Sequence, residues 1–408
     1  MFRNLRTSMR FRRFEFNAEL RRLSRAACVA DLRRISKKRL PRGVFDYIDG
    51  AAEDEVAVAK NVAAFSQFEF CPRVLRNVAN IDTSTTLLGQ PLAFPLVLAP
   101  TGFTRIAHSQ GELACARAAH RATIPYTLST LGTRSIEEVA AVSEGRKWFQ
   151  VYVWKDRGRV KEMLDRARDN DYEAIMITLD TPVLGRRERD IRNGFTLPPK
   201  MGLDTILSGL THPGWALDFL RADPISFANV SGQSDGGDKN PIVLADYINS
   251  QFDPALSWND VEWFQEHWEG PIILKGIQTV ADARLAAQSG VAAIALSNHG
   301  GRQLDQGPAI AELVAPVADA VGDDVEIICD GGIRRGSDIV KAIALGARAC
   351  MMGRPYLYAL AAGGERGVDF LLNHLRQGVE QTLALIGTRE IEDLDPDMLR
   401  RRDSSQGP

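Results

Sequence analysis

Short apolar runs rich in β-branched residues recur along this chain, and most are followed by a stretch with the spacing of an amphipathic helix. Eight such runs stand out: Leu96–Pro100, Tyr126–Ser129, Trp148–Val153, Ala174–Asp180, Ile272–Gly276, Ala292–Asn298, Val325–Asp330 and Ala349–Gly353. Alternation of this kind builds βα units around a parallel sheet. Uninterrupted apolar runs suit parallel strands, which are covered on both faces. Eight units imply the α/β class and a closed (β/α)8 TIM barrel, which takes about 250 residues before insertions. The chain has 408.

Helix-like segments fill the gaps. They run over Gly111–Thr123, Ser135–Val142, Val160–Asn170, Thr279–Ser289, Ile310–Val321 and Ser337–Leu345, the last followed by Gly346 as a helix stop. Ser135 and Glu138 have the spacing of a capping box. One gap breaks the rhythm, because the fourth and fifth strands stand nearly a hundred residues apart. That surplus implies a long insertion after strand 4, at about residues 200–257, and long loops on barrels tend to be functional. Before the barrel, Val29–Arg39 and Pro41–Val62, interrupted at Gly50, read as an N-terminal helical extension. Gly367–Gly387 reads as the eighth barrel helix. The expected organisation is a basic extension over 1–28, one barrel domain over 29–395, and a tail over 396–408.

The formal net charge of −2 conceals an uneven distribution. Residues 1–42 hold fourteen Lys or Arg against three acids, a surplus of +11 that leaves −13 for the remainder. Such a start attracts anionic lipid or, less readily, nucleic acid; it resembles a targeting peptide; or it is a solvated basic helix. The five cysteines are scattered, with no CxxC pair, which argues against a disulfide framework or a structural zinc and fits a reducing compartment. Cys329 and Cys350 fall in apolar runs and are expected in the core. No run approaches the ~20 apolar residues of a membrane-spanning helix. The start also lacks the apolar stretch of a secretory signal. The expectation is a cytoplasmic protein with no nucleic-acid partner, either free or peripheral on the inner face of the membrane.

Barrels carry their sites at the carboxyl ends of the strands. There the sequence places Pro100-Thr101-Gly102, then Ser129, then Gln150 and Tyr152, then Thr178 and Asp180, then Lys275. The sixth run leads into Ser297-Asn298-His299-Gly300-Gly301-Arg302, the seventh into Asp330-Gly331-Gly332 with Arg334 nearby, and the eighth into Gly353-Arg354. Singly these are weak signals, since a lone His in a loop is usually just satisfied there and a lone Lys is usually solvated. Eight polar ends converging on one mouth have no comparable structural reason. The last two offer backbone N–H groups and a guanidinium where barrels often hold phosphate. No GxGxxG follows a strand, no GxxxxGK[ST] occurs, and no HExxH or similar spacing suggests a metal. A phosphate-tailed organic cofactor remains, and flavin mononucleotide (FMN) suits the site.

The stretch Ser297-Asn-His-Gly-Gly-Arg-Gln-Leu-Asp305 resembles the signature of the FMN-dependent L-2-hydroxy acid oxidase and dehydrogenase family. Further motifs in the same order extend the likeness from about residue 29 to about 395. They include Phe45-Asp-Tyr-Ile-Asp-Gly-Ala-Ala-Glu-Asp54, Leu98-Ala-Pro-Thr101, Phe149-Gln-Val-Tyr152, Asp180-Thr-Pro-Val-Leu-Gly-Arg-Arg187, Leu274-Lys-Gly276 and Asp330-Gly-Gly-Ile-Arg-Arg-Gly336. The resemblance implies that His299 is the catalytic base and that Asp180 supports it. It implies that Arg187, Arg302 and Tyr47 bind the substrate carboxylate while Tyr152 faces its hydroxyl. Lys275 would stabilise charge on reduced flavin, and Ser129, Gln150 and Thr178 would bond its ring. Asp330, Arg334, Gly353 and Arg354 would hold ribityl and phosphate, with Pro100, Thr101, Gly102, Ser297 and Gly332 completing the cofactor set.

The same resemblance bears on substrate and acceptor. Leu131 stands where plant glycolate oxidases carry Trp, and Gly102 where oxidases commonly carry Ala. Thr211–Leu220 is similar to the corresponding loop of bacterial respiratory L-lactate dehydrogenases. Trp215, Leu217, Phe219, Leu220, Ile225 and Phe227 are therefore expected either to rest on a bilayer or to pack as a lid over the barrel. These features imply oxidation of L-lactate with electrons passed to a quinone or other membrane acceptor, in a homo-oligomer that is tetrameric by family resemblance. An oxygen-using oxidase and a mandelate dehydrogenase are the alternatives within the family. Outside it stand a non-redox FMN protein and a non-enzymatic binding module.

Overall fold

The computed structural model describes residues 15–194, 209, 211–230 and 250–402. Among the described residues, four helices precede the barrel: α1 (Ala18–Leu23), α2 (Val29–Arg39), α3 (Arg42–Asp49) and α4 (Val56–Ala64). The expected helix over Pro41–Val62 is thus two, parted at Gly50–Glu55, where Glu55 takes a positive φ of 63°. In the described part of the basic start, α1 is anchored by one buried residue and one hydrogen bond while Phe16 and Leu20 stay exposed. Leu23, Val29 and Leu32 are buried, and Arg22 donates to the Ala362 carbonyl at 2.7 Å.

Every expected apolar run overlaps a strand, with the third beginning one residue earlier and the fifth ending one residue later than expected. The strands are β1 (Leu96–Leu98), β2 (Tyr126–Ser129), β3 (Lys147–Tyr152), β4 (Ala174–Thr178), β5 (Ile272–Ile277), β6 (Ala293–Ser297), β7 (Glu326–Asp330) and β8 (Ala349–Met352). All pair in parallel with their sequence neighbours, and β8 closes on β1 through Met351 opposite Val97. Side chains alternate as a pleat requires. Leu96, Leu98, Phe149, Val151, Ile175 and Ile177 face the helices, while Val97, Trp148, Met176, Ile273, Ile328 and Met351 fill the barrel. Leu87 and Leu92, on a hairpin of Thr85–Leu87 against Gln90–Leu92, join that inner cluster and plug the amino end. Only the carboxyl end is left for a ligand. The buried Cys329 and Cys350 sit opposite each other on β7 and β8 as free thiols.

The outer layer is α5 (Gly111–Arg121), α6 (Ile136–Val142), α7 (Arg157–Asp169), then α8 (Glu188–Arg192) and α9 (Pro213–Arg221) in the β4–β5 connection, and α10 (Asn259–His267). It continues with α11 (Val280–Gln288), α12 (Ile310–Val321), α13 (Gly336–Ala344) and α14 (Arg354–Ile386). The capping box of α6 is formed, with Glu138 N donating to Ser135 Oγ at 3.1 Å and Ser135 N to Glu138 Oε2 at 2.8 Å. The last helix departs from expectation. It starts at Arg354, directly after β8, and bends at Gly363–Gly364 before running through the expected Gly367–Gly387 region. Its first part, Tyr356–Ala362, is buried on all sides, so it carries no polar face by which periodicity could reveal it. Beyond it, Leu399–Arg401 pairs antiparallel with Phe68–Phe70.

The described part of the insertion divides in two directions. Trp215 donates from its indole to the Ile106 carbonyl at 2.8 Å, and Phe227 is buried edge-on against Phe103 at 4.6 Å. Ile225 also packs on the core. Leu217, Phe219 and Leu220 face outward, Leu220 being 78% exposed. The six apolar residues therefore do not form one surface: α9, held by Ser109, whose backbone N–H and Oγ donate to Asp218 (2.9 and 2.6 Å), turns Trp215 inward and Leu217, Phe219 and Leu220 outward, while Ile225 and Phe227 pack inward beyond its end. Residues 200–208, 210 and 231–249 of the expected insertion lie outside the described residues.

Helices α13 and α14 touch backbone to backbone at Gly336, where a Cβ would lie 2.2 Å from the Gly378 carbonyl carbon. Gly336→Ala is therefore expected to destabilise the fold by about 1–3 kcal/mol, the usual cost of overpacking. The check is a lowered midpoint in chemical or thermal unfolding, and an unchanged midpoint would mean that the helices part without cost.

Candidate active site

A cavity opens at the carboxyl ends of the strands, roofed by residues of α3 and α4. Of the nineteen residues singled out from sequence, sixteen line it. The other three stand one hydrogen bond behind its wall. Ser129 Oγ donates to Gln150 Oε1 at 2.9 Å, Asp180 meets His299, and Ser297 Oγ donates to Asp330 Oδ2 at 2.7 Å. The sequence-derived set is thus brought together as one site.

Two polar chains cross the barrel mouth, each set by strand register. Gln150 receives Ser129 and passes its amide hydrogen to Thr178 Oγ1 at 2.9 Å, linking β2, β3 and β4. Opposite, Lys275 Nζ donates to Ser297 Oγ at 3.1 Å and lies 3.3 Å from Asp330 Oδ2. Ser297 and Asp330 are direct partners across β6 and β7. Ser297 Oγ also accepts the backbone N–H of His299 at 3.1 Å.

His299 and Asp180 form the titratable pair. Nδ1 of the imidazole lies 2.9 Å from Asp180 Oδ1, which fixes the proton on Nδ1 and leaves Nε2 as an acceptor. Burial pushes the imidazole below its ordinary value of 6.5, against the opposing charge of Asp180, so the ring is neutral near pH 7. For Asp180, burial pulls upward but the neighbouring His299 and Lys275 charges outweigh it, and the carboxyl is held below its ordinary range. The site thus offers a neutral base beside a fixed carboxylate.

The cavity is rich in cations. Arg187, Lys275, Arg302, Arg334 and Arg354 line it, and Asp330 is the one carboxylate among its described lining residues. Arg302 donates to the carbonyls of Tyr47 (2.8 Å) and Gly50 (3.0 Å) and lies over the Tyr47 ring at 5.1 Å. Arg354 donates to Gly300 (2.8 Å) and Gly50 (2.7 Å). Burial, and next the Arg187 charge, push Arg302 down to about 9, and burial likewise lowers Arg334 and Arg354. The buried Nε atoms of Arg187 and Arg354 have no hydrogen-bond partner among the described residues. Unspent guanidinium donors and crowded positive charge fit anionic groups, a phosphate monoester and a carboxylate.

Among the lining residues that were not singled out from sequence, Phe252 and Asn61 bear most on the site. Phe252, from the far end of the insertion, sets its ring edge-on to Tyr152 at 5.3 Å, and nothing in its local sequence signals this. Asn61 lies mid-helix in α4 among apolar residues, a placement that helices disfavour and that could have raised attention.

A family model described as FMN-dependent dehydrogenase matches residues 36–401. An L-lactate dehydrogenase of Xanthomonas campestris pv. campestris is 40% identical over 379 residues, covering 92% of this chain and 97% of that one. Glycolate oxidase of Spinacia oleracea is 43% identical over 360 residues, covering 88% and 92%. Among solved structures, the monotopic membrane protein (S)-mandelate dehydrogenase superposes with a TM-score of 0.88 at 38% identity, covering 93% of this chain and all of that one.

The Asp180 charge holds the imidazole pKa up against burial. Asp180→Asn is accordingly expected to move the His299 pKa further below 6.5, so that the neutral ring persists to lower pH. A titration of the labelled imidazole nitrogens by NMR reads this directly; a rise in the variant would show that the carboxylate is not the controlling neighbour.

Proposed function

Because the chain belongs to the FMN-dependent dehydrogenase family, and so uses FMN to oxidise 2-hydroxy acids, we propose that its substrate is L-lactate, converted to pyruvate, with electrons delivered to a quinone or another membrane acceptor. The observation that carries the reading is the neutral His299, braced by Asp180, facing a cavity lined by five cations. The 40% identical L-lactate dehydrogenase supports the substrate. The outward apolar side chains of α9 and the likeness to a monotopic membrane dehydrogenase support the acceptor and a peripheral place on the membrane. No described helix is long and apolar enough to cross a membrane.

In this reading Arg302 and Arg187 hold the substrate carboxylate, with Tyr47 adding its hydroxyl and Tyr152 facing the substrate hydroxyl. His299 Nε2 takes a proton from the substrate, which a neutral imidazole can do near pH 7. Asp180 then stabilises the imidazolium, as a carboxylate does for a histidine base elsewhere. Asp330, Gly332, Arg334, Gly353 and Arg354 hold the ribityl chain and phosphate of FMN. Ser129, Gln150 and Thr178 address its ring, Lys275 its negative edge, and Pro100, Thr101, Gly102 and Ser297 complete the wall. When bound, FMN supplies the acceptor for the two electrons that leave the acid. The base works only when deprotonated, so turnover is expected to fall on the acid side as pH drops through the lowered His299 pKa.

L-Lactate added without oxygen to the FMN-loaded protein is expected to bleach the yellow absorbance rapidly, with re-oxidation by a quinone analogue faster than by air. Bleaching by mandelate but not lactate would favour an aromatic substrate, a reading supported by the mandelate dehydrogenase likeness. Fast peroxide formation in air would instead make the protein an oxidase, as the glycolate oxidase identity also allows. His299→Ala is expected to retain FMN and lose about 10²- to 10⁴-fold in kcat, the range for a general base. Near-native kcat in that variant would rule out the assignment.

A further inference from the structure

The loop that carries His299 is in a costly conformation. His299, Gly300 and Gly301 have φ of +55°, +63° and +74° in succession, and such a backbone in a non-glycine residue persists only when its surroundings hold it. One contact that holds it comes from outside the barrel. Asn61 of α4, 1% exposed, exchanges both hydrogen bonds of a carboxamide pair with Asn298, at 2.8 and 3.0 Å. Asn298 Oδ1 in turn accepts Gly301 N–H at 3.1 Å, spanning the strained residues, while its Nδ2 also donates to the Pro308 carbonyl at 3.1 Å. Asn61 Oδ1 accepts a second bond, from Ile310 N–H at 3.2 Å. Its backbone carbonyl presses on the next strand's loop, where a Cβ on Gly332 would lie only 2.0 Å away. No other side-chain type of this size offers a donor and an acceptor in the spacing that Asn298 requires. The same helix is tied to the loop at its start, where Asp305 accepts Val56 N–H (3.2 Å) and Ala57 N–H (2.7 Å).

We propose that Asn61 is a positioning residue for the reaction, acting through Asn298 to hold His299 where it can take the substrate proton. This rests on the reading of His299 as the base. It makes α4 part of the catalytic apparatus, although Asn61 has no ionisable group and stands on an element outside the barrel. A displacement of the base by about 1 Å costs on the order of 10²-fold in rate, so a loosened loop would be felt in kcat and hardly in substrate binding.

The test is a double-mutant cycle of Asn61→Leu and His299→Gln, read by anaerobic bleaching of bound flavin with L-lactate and normalised to flavin content. FMN affinity is measured in parallel by quenching of FMN fluorescence. In the native background Asn61→Leu is expected to slow bleaching about 10- to 100-fold, with KM and FMN affinity little changed. In the His299→Gln background, where no base remains to be positioned, it is expected to change the rate by no more than about twofold, the scatter of independent effects. Equal losses in both backgrounds, or a loss explained by weakened FMN binding, would overturn the proposal. Asn61→Ser serves the same cycle should the leucine variant not fold. A His299→Gln enzyme that stays fast would sink the assignment of the base, an outcome distinct from additive losses with a slow His299→Gln enzyme.

Discussion

Among the described residues, five cationic side chains are gathered around one cavity with a single lining carboxylate, and much of the surrounding architecture exists to hold them there. Like charges out of water repel and resist burial, so each must be met by oriented dipoles or counter-charge. The backbone supplies most of this. The Gly50 carbonyl accepts from both Arg302 and Arg354, and the Tyr47 and Gly300 carbonyls take one donor each. Lys275 is met by Ser297 and Asp330. These carbonyls belong to the last turn of α3, to Gly50 directly after it and to the loop after β6, so placing the cations also fixes the roof against the barrel.

The same loops constrain the base. His299 sits between Ser297, which accepts its N–H, and Gly301, which is bonded to Asn298. Its ring is oriented by Asp180 from the loop after β4. Burial lowers its proton affinity while the carboxylate opposes that fall, leaving a neutral ring with one lone pair free. Electrostatics and backbone strain therefore converge on the same few residues. The barrel contributes the framework, and helices α3 and α4 contribute contacts that it lacks.

Much of this was legible in the chain. Each barrel strand is a buried apolar run closed by polar residues, so Trp148–Val153 and Ala292–Asn298 announce both their element and their site. The residues at strand ends are local to their signal, which explains why so many of the singled-out positions line one cavity. What was not legible depends on tertiary burial. Tyr356–Ala362 has no polar face, so the early start of α14 is invisible to periodicity. Phe252 reaches the site only because the end of the insertion lies along the chain beyond β3, with Gln251 O accepting Lys155 N–H at 2.9 Å. Asn61 likewise gains its partner from 237 residues away. The six apolar residues of the insertion divide between core and solvent for the same reason, since anchors such as Asp218 to Ser109 are not readable from composition.

The small sheet outside the barrel carries a consequence for how the protein is made. Phe68–Phe70, which precedes the first barrel strand, finds its partner only in Leu399–Arg401, almost the last residues described. On a ribosome the early strand emerges first and waits with its backbone groups unmatched while more than three hundred residues follow. Domains fold as units and their exposed edges invite the wrong neighbour. This clasp is therefore among the last pieces to assemble. A chain lacking Leu399–Arg401 would leave the Phe68–Phe70 edge without its partner strand.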